Sequence, residues 1–444
     1  MKRRLVFSLL LGVLLIGTAS LGWGKVKIVF SDWHLVEPHW EKALKEAIAE
    51  FEAQNPDIDV ELEYVSYGEK ETKYITAIEA GVGPDVMHLG PIEVSFAQFA
   101  SRGYFLDLTP FIESEEEDFL SSWYSTALGA VQYDDRYYAM PGDFMSMFLM
   151  WNKRLFVEAG LDPSKPPETW DELLDYATAL TRDRDGDGRT DTWGLGTVGA
   201  VDPGFQLRFS PLLFSFGADY LTPDNKCSAL NTPQAKEAFK FWVDLCAEHE
   251  VIPPGVTDMN PGKVREQFAA EKVAMILTSG WGPPIVKSIR PDVNWDQLLG
   301  FSHVPVKAGA DPEYRTTAWL SYWAINRNTD HPEEAWRLVK FITSKAMEEK
   351  WFRDANVLSS RIDVTEAYEP ILSSPSARVN AAELSKAKLV PLIPEWPQII
   401  EAVNVAVQKG FTGVAPDRAL AEAHRIINDI LAKYRESGEE CPTY

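Results

Sequence analysis

The segment SGWGPP, residues 279–284, contains an aromatic side chain that the local sequence keeps out of a regular element. Trp281 stands between two glycines and directly before Pro283 and Pro284. Glycine frees the backbone and each proline removes an amide donor, so neither a helix nor a central strand is expected to continue here. The pattern predicts a bend that presents the indole ring. Two interpretations stay open: the ring contacts a ligand, or it is an ordinary loop tryptophan.

A second aromatic candidate follows the first predicted strand. Trp33 and His34 come directly after the segment KVKIVFSD. In open α/β sheets, ligands lie outside the carboxyl ends of the strands. This position predicts ligand contact for both residues. An isolated histidine is more often a core or surface residue, so a structural role for His34 stays open.

The segment DRDGDGRTD, residues 183–191, has the spacing of a calcium-binding loop. Its carboxylates fall at the first, third, fifth and ninth positions of such a loop: Asp183, Asp185, Asp187 and Asp191. The twelfth position is Gly194, where a bidentate glutamate is expected. The pattern predicts either a structural Ca²⁺ that lacks one strong ligand or a plain acidic turn.

No signature of covalent or zinc-dependent hydrolysis stands out in the sequence. We find no activated serine, no Cys–His pair and no HExxH motif. A glycoside hydrolase remains an alternative, because it needs only two carboxylates that face one glycosidic bond, and the chain has 66 acidic residues. Motifs alone therefore leave both an enzyme and a binding protein open.

Charge and composition exclude two classes of partner. The formal net charge is −23 at pH 7. Nucleic acids and anionic membranes both favour clustered lysine and arginine, so neither is an expected partner. The chain has 15 tryptophans, and several of them stand beside glycine or proline, where a side chain is poorly placed for a core.

The first residues have the features of a secretory signal peptide. Three basic residues, 2–4, precede an apolar run from Leu5 to Ile16, and small residues follow. The run is shorter than the roughly 20 residues that span a bilayer. We predict that residues 1–24 are a signal peptide and that the mature chain is exported, soluble, and periplasmic or extracellular. No cysteine lies at the junction, which argues against a lipid anchor.

The chain has three cysteines, Cys227, Cys246 and Cys441. In an oxidising compartment Cys227 and Cys246 could form a disulfide, or both could be buried thiols. Neither alternative indicates redox chemistry or a zinc site.

The elements that must position these residues alternate between strands and helices. KVKIVFSDW reads as a buried strand, EKALKEAIAEFEAQNPDI as an amphipathic helix with Leu44, Ile48 and Phe51 on one face, and DVELEYVSY as a second strand. The alternation continues along the chain, so the predicted class is α/β, with mostly parallel sheets flanked by helices. A mature chain of about 420 residues without a flexible linker predicts two lobes between which the chain crosses more than once.

Five segments, in this order and spacing, resemble the extracellular solute-binding proteins of ABC sugar importers, the group that includes the maltose-binding proteins. They are AGVGPDVMHL, FAQFASRGYFLDLTPFI, YYAMPGDFMSMFLMWNKRLFVEAGLDPSKPPETWDELLDYA, FAAEKVAMILTSGW and YWAINRNTDHPEEAWRLVKFITSKAMEEKW. The resemblance covers essentially the whole mature chain. It implies a two-lobed periplasmic-binding-protein fold (type II-like), whose lobes are joined by hinge strands and close around a ligand in the cleft between them.

The resemblance also implies boundaries for the lobes. The N-terminal lobe comprises residues 25–142 and 306–357, the C-terminal lobe comprises 143–305 and 358–434, and 435–444 form a C-terminal tail. The crossings between lobes are expected near Asp143, Val304 and Leu358.

Several site residues are implied by the resemblance. Trp281 matches a tryptophan that lies against a sugar ring in the family, and the remaining positions that match or lie near the cleft are Glu93, Asp143, Trp319, Tyr322, Arg361 and Trp396. Asp143 could accept a hydrogen bond from a hydroxyl or merely cap a turn. Trp319 and Tyr322 stand where family members often have glycine, so their rings would reshape one end of the cleft. Trp323, beside them, is expected in the core.

Two arginines carry an ambiguous signal. Arg361 and Arg208 could each donate two hydrogen bonds to vicinal hydroxyls, pair with the carboxylate of an acidic sugar, or form an ordinary salt bridge. Sugar sites combine aromatic rings, which pack on the C–H faces of a pyranose, with polar groups that bind its hydroxyls. The candidate set has both kinds of residue.

The predicted function is capture and delivery. The protein would be the monomeric substrate-binding component of an ABC transporter, binding a carbohydrate, in particular an oligosaccharide, and passing it to membrane permease subunits. Neither catalysis nor a cofactor is required. Besides a glycoside hydrolase, a binding protein for a non-sugar solute stays open: glycerol phosphate would favour an Arg/Lys cluster in the cleft, and a polyamine would favour several carboxylates.

Overall fold

The computed structural model of the protein describes residues 24–36, 38–436 and 440–442. Apart from Gly24, the predicted signal peptide lies outside these described residues. Among the helices of the described ranges, none is long and apolar enough to cross a membrane.

The described residues form twelve strands and nineteen α-helices. The strands are β1 (Val26–Asp32), β2 (Ile58–Tyr64), β3 (Val86–Leu89), β4 (Gln132–Tyr133), β5 (Arg136–Tyr137), β6 (Ala139–Ser146), β7 (Phe148–Asn152), β8 (Trp193–Gly196), β9 (Val273–Thr278), β10 (Leu299–Ser302), β11 (Thr316–Ile325) and β12 (Ala387–Lys388). The helices are α1 (Pro38–Gln54), α2 (Lys70–Glu79), α3 (Ile92–Ser101), α4 (Thr109–Glu113), α5 (Ser125–Ala130), α6 (Lys153–Glu158), α7 (Trp170–Leu180), α8 (Gln206–Ser215), α9 (Pro233–Ala247), α10 (Pro261–Ala269), α11 (Gly282–Ile289), α12 (Trp295–Leu298), α13 (Pro332–Ile342), α14 (Lys345–Ala355), α15 (Ile362–Thr365), α16 (Glu369–Ser373), α17 (Pro375–Leu384), α18 (Trp396–Phe411) and α19 (Pro416–Leu431). Short 3-10 helices cover Trp33–Val36, Phe119–Ser122, Pro203–Phe205, Val256–Asp258 and Ala432–Tyr434.

Hydrophobic periodicity accounts for the first elements. The helix face predicted from Leu44, Ile48 and Phe51 is confirmed, because all three side chains are buried on α1. Ile28 and Phe30 of β1 are fully buried, as expected for a strand inside an α/β sheet.

The strands form two larger sheets of mixed direction and one short hairpin of β4 and β5. The first sheet has the order β12-β11-β3-β1-β2, with β6 also paired to β11. In it β1 runs parallel to β2 and β3, whereas β11 runs antiparallel to β3 and β6. The second sheet has the order β10-β7-β9-β8, and β7 is antiparallel to both of its neighbours. The second sheet is therefore not mostly parallel as expected, because β7 runs antiparallel to both β10 and β9.

Each sheet lies within its own hydrophobic core. The first core takes its residues from 28–145 and 318–387, and the second from 147–304 and 390–431. The first two changes of core lie close to the crossings expected near Asp143 and Val304. The third differs from the expectation near Leu358, because the segment from Leu358 to Ala387 packs with the first core. Pairing of β12 with β11 holds the end of this segment on the first sheet.

The disulfide connects a pair of cysteines different from the predicted one. Cys227 is bonded to Cys441, whereas Cys246 is a free, half-buried thiol on α9. Asn428 on α19 lies beside this bridge, since its Oδ1 accepts from the Ser228 amide at 2.8 Å and lies 3.3 Å from Cys441 Sγ. The bridge therefore fastens the described part of the C-terminal tail to the second lobe.

Candidate functional site

A cavity of about 850 Å³ lies between the two cores. Aromatic rings in its wall belong to Trp33, Tyr67, Trp281 and Trp319. Polar groups in its wall belong to Glu93, Asp143, Asp202, Gln206, Arg208 and Arg265. Because both lobes supply both kinds of residue, a molecule in this cavity would contact the two lobes at once.

A stack of rings supports the cavity wall beside the first sheet. The 3-10 helix directly after β1 carries Trp33, whose ring stacks on His88 with 4.1 Å between centroids. His88 stacks in turn on Trp323 at 3.6 Å. His34 also lines the cavity and stacks on Trp40 at 4.2 Å. Because the His88 ring is packed on both faces, the stack holds these rings in one orientation. Trp323 is buried in the core, as predicted.

The buried carboxylate of Asp32 anchors the same wall. Its Oδ1 accepts a hydrogen bond from the His34 amide at 2.8 Å and lies 3.1 Å from Nδ1 of His88. Burial alone would raise the pKa of Asp32, but the charges and hydrogen bonds of His88 and His34 hold it well below its usual value. Burial lowers the pKa of His88 to about 4. At neutral pH the stack therefore holds a neutral imidazole beside a carboxylate.

Trp281 is the residue that directly precedes α11. The predicted bend is confirmed, because β9 ends at Thr278 and Trp281 lies in a turn before α11, but Pro283 and Pro284 lie in the first turn of this helix and do not prevent one. A proline there removes no helical hydrogen bond, and its fixed backbone angle suits the helix. The Trp281 ring meets Trp319 edge-on, with centroids 5.9 Å apart. The two indoles therefore form one continuous aromatic part of the cavity wall.

Glu93 contacts the opposite lobe. It stands in the first turn of α3, is 4% exposed, and accepts a hydrogen bond from the side-chain amide of Gln206 on α8. Gln206 Oε1 accepts a hydrogen bond from Trp396 Nε1 at 2.7 Å. Burial raises the pKa of Glu93 to about 7. Near neutral pH both the protonated and the charged form of the Glu93 carboxyl are therefore populated.

The second lobe contributes a buried arginine and a partly buried one. Arg208 on α8 donates from Nη1 to the carbonyl oxygen of Gly204 at 3.0 Å. Arg265 on α10 lines the same cavity. Burial, and secondarily the charge of Arg265, lower the pKa of Arg208 to about 9. The Arg208 side chain is thus still cationic at neutral pH, in spite of its burial.

Asp143 faces the cavity from β6, close to the first change of core. Its amide donates to Ser321 Oγ at 2.8 Å. A side chain at Gly142 would come within 2.5 Å of the same oxygen, so glycine is required for this close approach of β6 and β11. The backbone of Asp143 is thereby fixed where the chain passes between lobes.

Comparison with known proteins identifies the family. The sequence profile of the bacterial extracellular solute-binding proteins matches residues 37–349. The chain belongs to this family. A putative binding protein of Brucella abortus (strain 2308) is 25% identical over 439 residues, which are 96% of this chain and 98% of the relative. The maltotriose-binding protein of Pyrococcus abyssi is 24% identical, covering 94% of this chain and 82% of the relative.

A solved structure has the same fold as this solute-binding protein. It is an ABC transporter solute-binding protein from Thermotoga lettingae bound to α-D-tagatose, with a TM-score of 0.78 and 24% identity, covering 92% of this chain and 100% of the other. The two-lobed fold implied by the resemblance is therefore confirmed. Since the family consists of binding proteins, this chain is a solute-binding protein and not an enzyme.

Seven of the ten residues that the sequence suggested for ligand binding line the cavity of this solute-binding protein. They are Trp33, His34, Glu93, Asp143, Arg208, Trp281 and Trp319. The cavity brings together side chains from both ends of the chain and from both lobes.

The other three candidates do not line the cavity. Tyr322 points to the opposite face of β11 from Trp319, where its hydroxyl lies 2.7 Å from Ser95 Oγ on α3. Arg361 forms the salt bridge considered as its alternative, with Nε 3.0 Å from Asp363 Oδ1.

Trp396, the last of the three, lies behind the cavity wall. It is buried and donates a hydrogen bond to Gln206, which does line the cavity. Trp396 therefore positions a cavity residue instead of facing the cavity itself.

Several cavity residues escaped the sequence analysis. Tyr67 follows β2, which pairs with β1, so the rule of strand carboxyl ends that selected Trp33 would also have selected Tyr67. Gln206, Arg265 and Asp202 lie on or beside helices of the second lobe. Nothing in their local sequence distinguishes them from ordinary surface residues.

The predicted calcium loop fits the ion only in part. Carboxylate oxygens of Asp183, Asp185 and Asp187 lie within 4.8 Å of one another. Asp191 is turned instead toward the backbone, where its Oδ2 accepts from the Arg184 amide at 2.8 Å. A side chain at Gly194 would come 2.2 Å from Ala177, so the twelfth ligand of a complete loop has no room. Calcium binding at this loop stays a prediction.

Proposed function

We propose that this solute-binding protein captures a carbohydrate between its lobes for uptake by an ABC transporter. The observation that carries the proposal is one cavity in which rings from both lobes face buried polar side chains. A pyranose needs both, since its C–H faces pack on aromatic rings while its hydroxyls require hydrogen-bond partners. Trp281 and Trp319 suit the faces, and Glu93 and Asp143 suit the hydroxyls.

The size of the cavity favours more than one sugar ring. Its volume of about 850 Å³ lies toward the upper end of the roughly 300–1,000 Å³ typical of small-molecule pockets. The Pyrococcus relative is named for maltotriose, and the Thermotoga structure holds a single ketose. We therefore propose an oligosaccharide as the main ligand, with single sugars as weaker ones.

Capture would work by a shift between open and closed arrangements of the lobes. A ligand that contacts both lobes binds the closed arrangement better than the open one, and so raises its population. The closed form is what the permease subunits of the transporter would recognise. The proposal includes export of a mature, monomeric chain that starts near Lys25 and carries no lipid anchor.

The cavity chemistry also bears on the non-sugar alternatives. A polyamine would favour several charged carboxylates, but the buried Glu93 has a pKa raised to about 7 and three arginines share the cavity with it. Rings from both lobes favour a ligand with apolar faces over a small phosphate ester alone. A saccharide therefore agrees best with the whole set of residues.

The test is calorimetry and thermal unfolding on the chain from Lys25 onward. The panel contains tagatose, glucose, maltose, maltotriose and longer glucans, and each mixture is analysed for cleaved sugar. A ligand at a hundred times its Kd should stabilise the fold by about 2.7 kcal/mol. Intact sugar after binding supports the proposal; cleaved sugar would contradict it.

A pair of tryptophan variants locates the binding site. We expect Trp281→Ala to weaken sugar binding by about tenfold or more, because loss of a ring at a buried contact should cost about 1.4 kcal/mol or more. Trp193→Ala is the control, because Trp193 is a partly buried tryptophan of the second lobe outside the cavity. Equal loss of affinity in both variants would argue against binding in this cavity.

A further inference from the structure

Two arginine side chains of the second lobe share the cavity wall without a carboxylate partner in contact. Arg208 is 3% exposed, and its Nε has no hydrogen-bond partner. The Nε of Arg265 is likewise buried and lacks a partner. Within the described part of the chain, neither guanidinium forms an ion pair. Buried cations without such partners are costly, so this arrangement calls for an explanation.

Two carboxylates act electrostatically on the arginine pair without forming an ion pair with it. Asp202 acts electrostatically on both arginines, and its Oδ1 accepts a hydrogen bond from the Gly204 amide at 2.7 Å. A Cβ atom at Gly204 would lie 3.0 Å from that oxygen and 3.3 Å from Arg208 Nη1, so Asp202 and Arg208 lie close together. Asp202 acts on both guanidinium groups, whereas the exposed Glu266 acts on Arg265 more weakly.

Another arginine of the cavity shows the ordinary arrangement. Arg353 also lines the wall, but its Nε lies 3.1 Å from Asp354 Oδ1. Arg208 and Arg265 line the same cavity but have no such contact with a carboxylate of the described residues.

We propose that Arg208 and Arg265 form a subsite for an anionic oxygen group, a carboxylate or a phosphate, carried by the captured sugar. The proposal rests on the function proposed above and adds the charge of the ligand. A guanidinium presents its donors in a planar fork that matches either group. A neutral hydroxyl would accept these hydrogen bonds but leave the excess buried charge uncompensated.

This subsite assigns different parts of the ligand to different walls of the cavity. Trp281 and Trp319 would hold the faces of the sugar rings, and the arginine pair would hold the charged substituent. The net charge of −23 does not exclude an anionic ligand, because a bound anion meets mainly the local field of the cavity.

The experiment is calorimetry with two matched pairs of disaccharides on the folded chain. Digalacturonate is compared with galactobiose, and maltose 6′-phosphate with maltose, so that each pair tests one kind of anionic group. We expect one anionic member to bind at least about tenfold more tightly than its neutral partner. Preference within the first pair would identify a carboxylate, and within the second a phosphate.

Variants attribute the preference to the arginines. Arg265→Gln should remove it, so that the anionic and neutral members of each pair bind with similar affinity. Arg208→Gln should do the same, and melting curves will show whether this more buried variant remains folded. Arg353→Gln is the control, because the Arg353 side chain is already paired, and it should keep the preference.

The outcomes separate this proposal from the general function. Equal affinity within both pairs, together with measurable sugar binding, would overturn the anionic subsite and leave sugar capture standing. A preference that persists in a folded Arg265→Gln variant would also overturn the subsite. Absence of binding for every neutral and anionic sugar would instead count against the proposed function itself.

Discussion

Glu93 and Gln206 form a hydrogen bond that joins the two lobes at the cavity wall. Glu93 Oε1 accepts from the Gln206 side-chain amide, while the second carboxyl oxygen is buried without a hydrogen-bond partner. A charged carboxylate here loses most of its hydration, which raises the pKa of Glu93 to about 7. Because Glu93 also lines the cavity, one proton affects both stability and the hydrogen bonds offered to a ligand.

Replacing Glu93 with glutamine should remove one pH dependence of stability. The folded state keeps its proton up to a pH of about 7, whereas the unfolded chain releases it near 4.5. This contribution to stability is therefore fully present below pH 4.5 and is lost as the pH rises through about 7. Urea unfolding should show that, between pH 4.5 and pH 8, the parent protein loses about 3 kcal/mol of stability relative to Glu93→Gln.

The control for this measurement is an exposed glutamate. Glu116 is exposed in the turn after α4, and Glu116→Gln should leave the pH dependence as it is in the parent protein. Identical pH slopes in the parent protein and in Glu93→Gln would contradict the assignment of this effect to Glu93.

His88 should have a pKa well below the usual value of a histidine. Burial between Trp33 and Trp323 favours the neutral ring and lowers its pKa from 6.5 to about 4. The unfolded chain takes up this proton first, so stability is present above pH 6.5 and is lost as the pH falls toward 4, by about 3 kcal/mol. This slope is opposite in sign to that of Glu93.

Nuclear magnetic resonance can follow the seven histidines directly. Chemical shifts of the ring protons recorded from pH 8 to roughly pH 3 give the pKa values in that range, and the signal missing in His88→Asn identifies the one that belongs to His88. A midpoint between pH 6 and 7 for that signal would show that His88 is not held neutral by its surroundings.

Local sequence patterns predicted the elements but not all of their long-range pairings. The spacing of Leu44, Ile48 and Phe51 was enough to define a helix face, because periodicity depends only on near neighbours. The direction of β7, the packing of the segment after Leu358 and the partner of Cys227 depend on residues far away in the chain. Sequence patterns carry little information about such contacts.

In the candidate site, too, local sequence predicted some residues, whereas others depend on contacts between distant parts of the chain. Trp33 could be selected because it follows a strand of an α/β sheet, a position at which such folds present ligands. Tyr322 was misplaced because its side chain points to the face of β11 opposite Trp319, and only the pairing of that strand reveals which face borders the cavity. Arg265 was missed because its significance depends on Arg208, 57 positions away in the sequence.

Calcium binding at residues 183–191 remains a proposal that thermal unfolding can test. With no bidentate glutamate, an affinity of about 10⁻⁴–10⁻³ M is expected, so 10 mM Ca²⁺ should stabilise the protein by about 1–3 kcal/mol after treatment with a chelator. Asp185→Asn is the matched variant, because asparagine can still accept from the Asp187 amide but carries no charge. No shift of the parent protein with Ca²⁺ would show that these carboxylates only hold the turn.

The disulfide between Cys227 and Cys441 should stabilise the second lobe. It links positions 214 residues apart, so it restricts the unfolded chain strongly, and its loss is expected to cost about 2–5 kcal/mol. Cys441→Ser should therefore lower the urea midpoint, whereas Cys246→Ser, at the free and half-buried thiol, should change it little. Sugar affinity should be unaffected in both variants, because none of the three cysteines lines the cavity. An equal effect of the two substitutions would contradict the bridge, since only one of them removes a bonded sulfur.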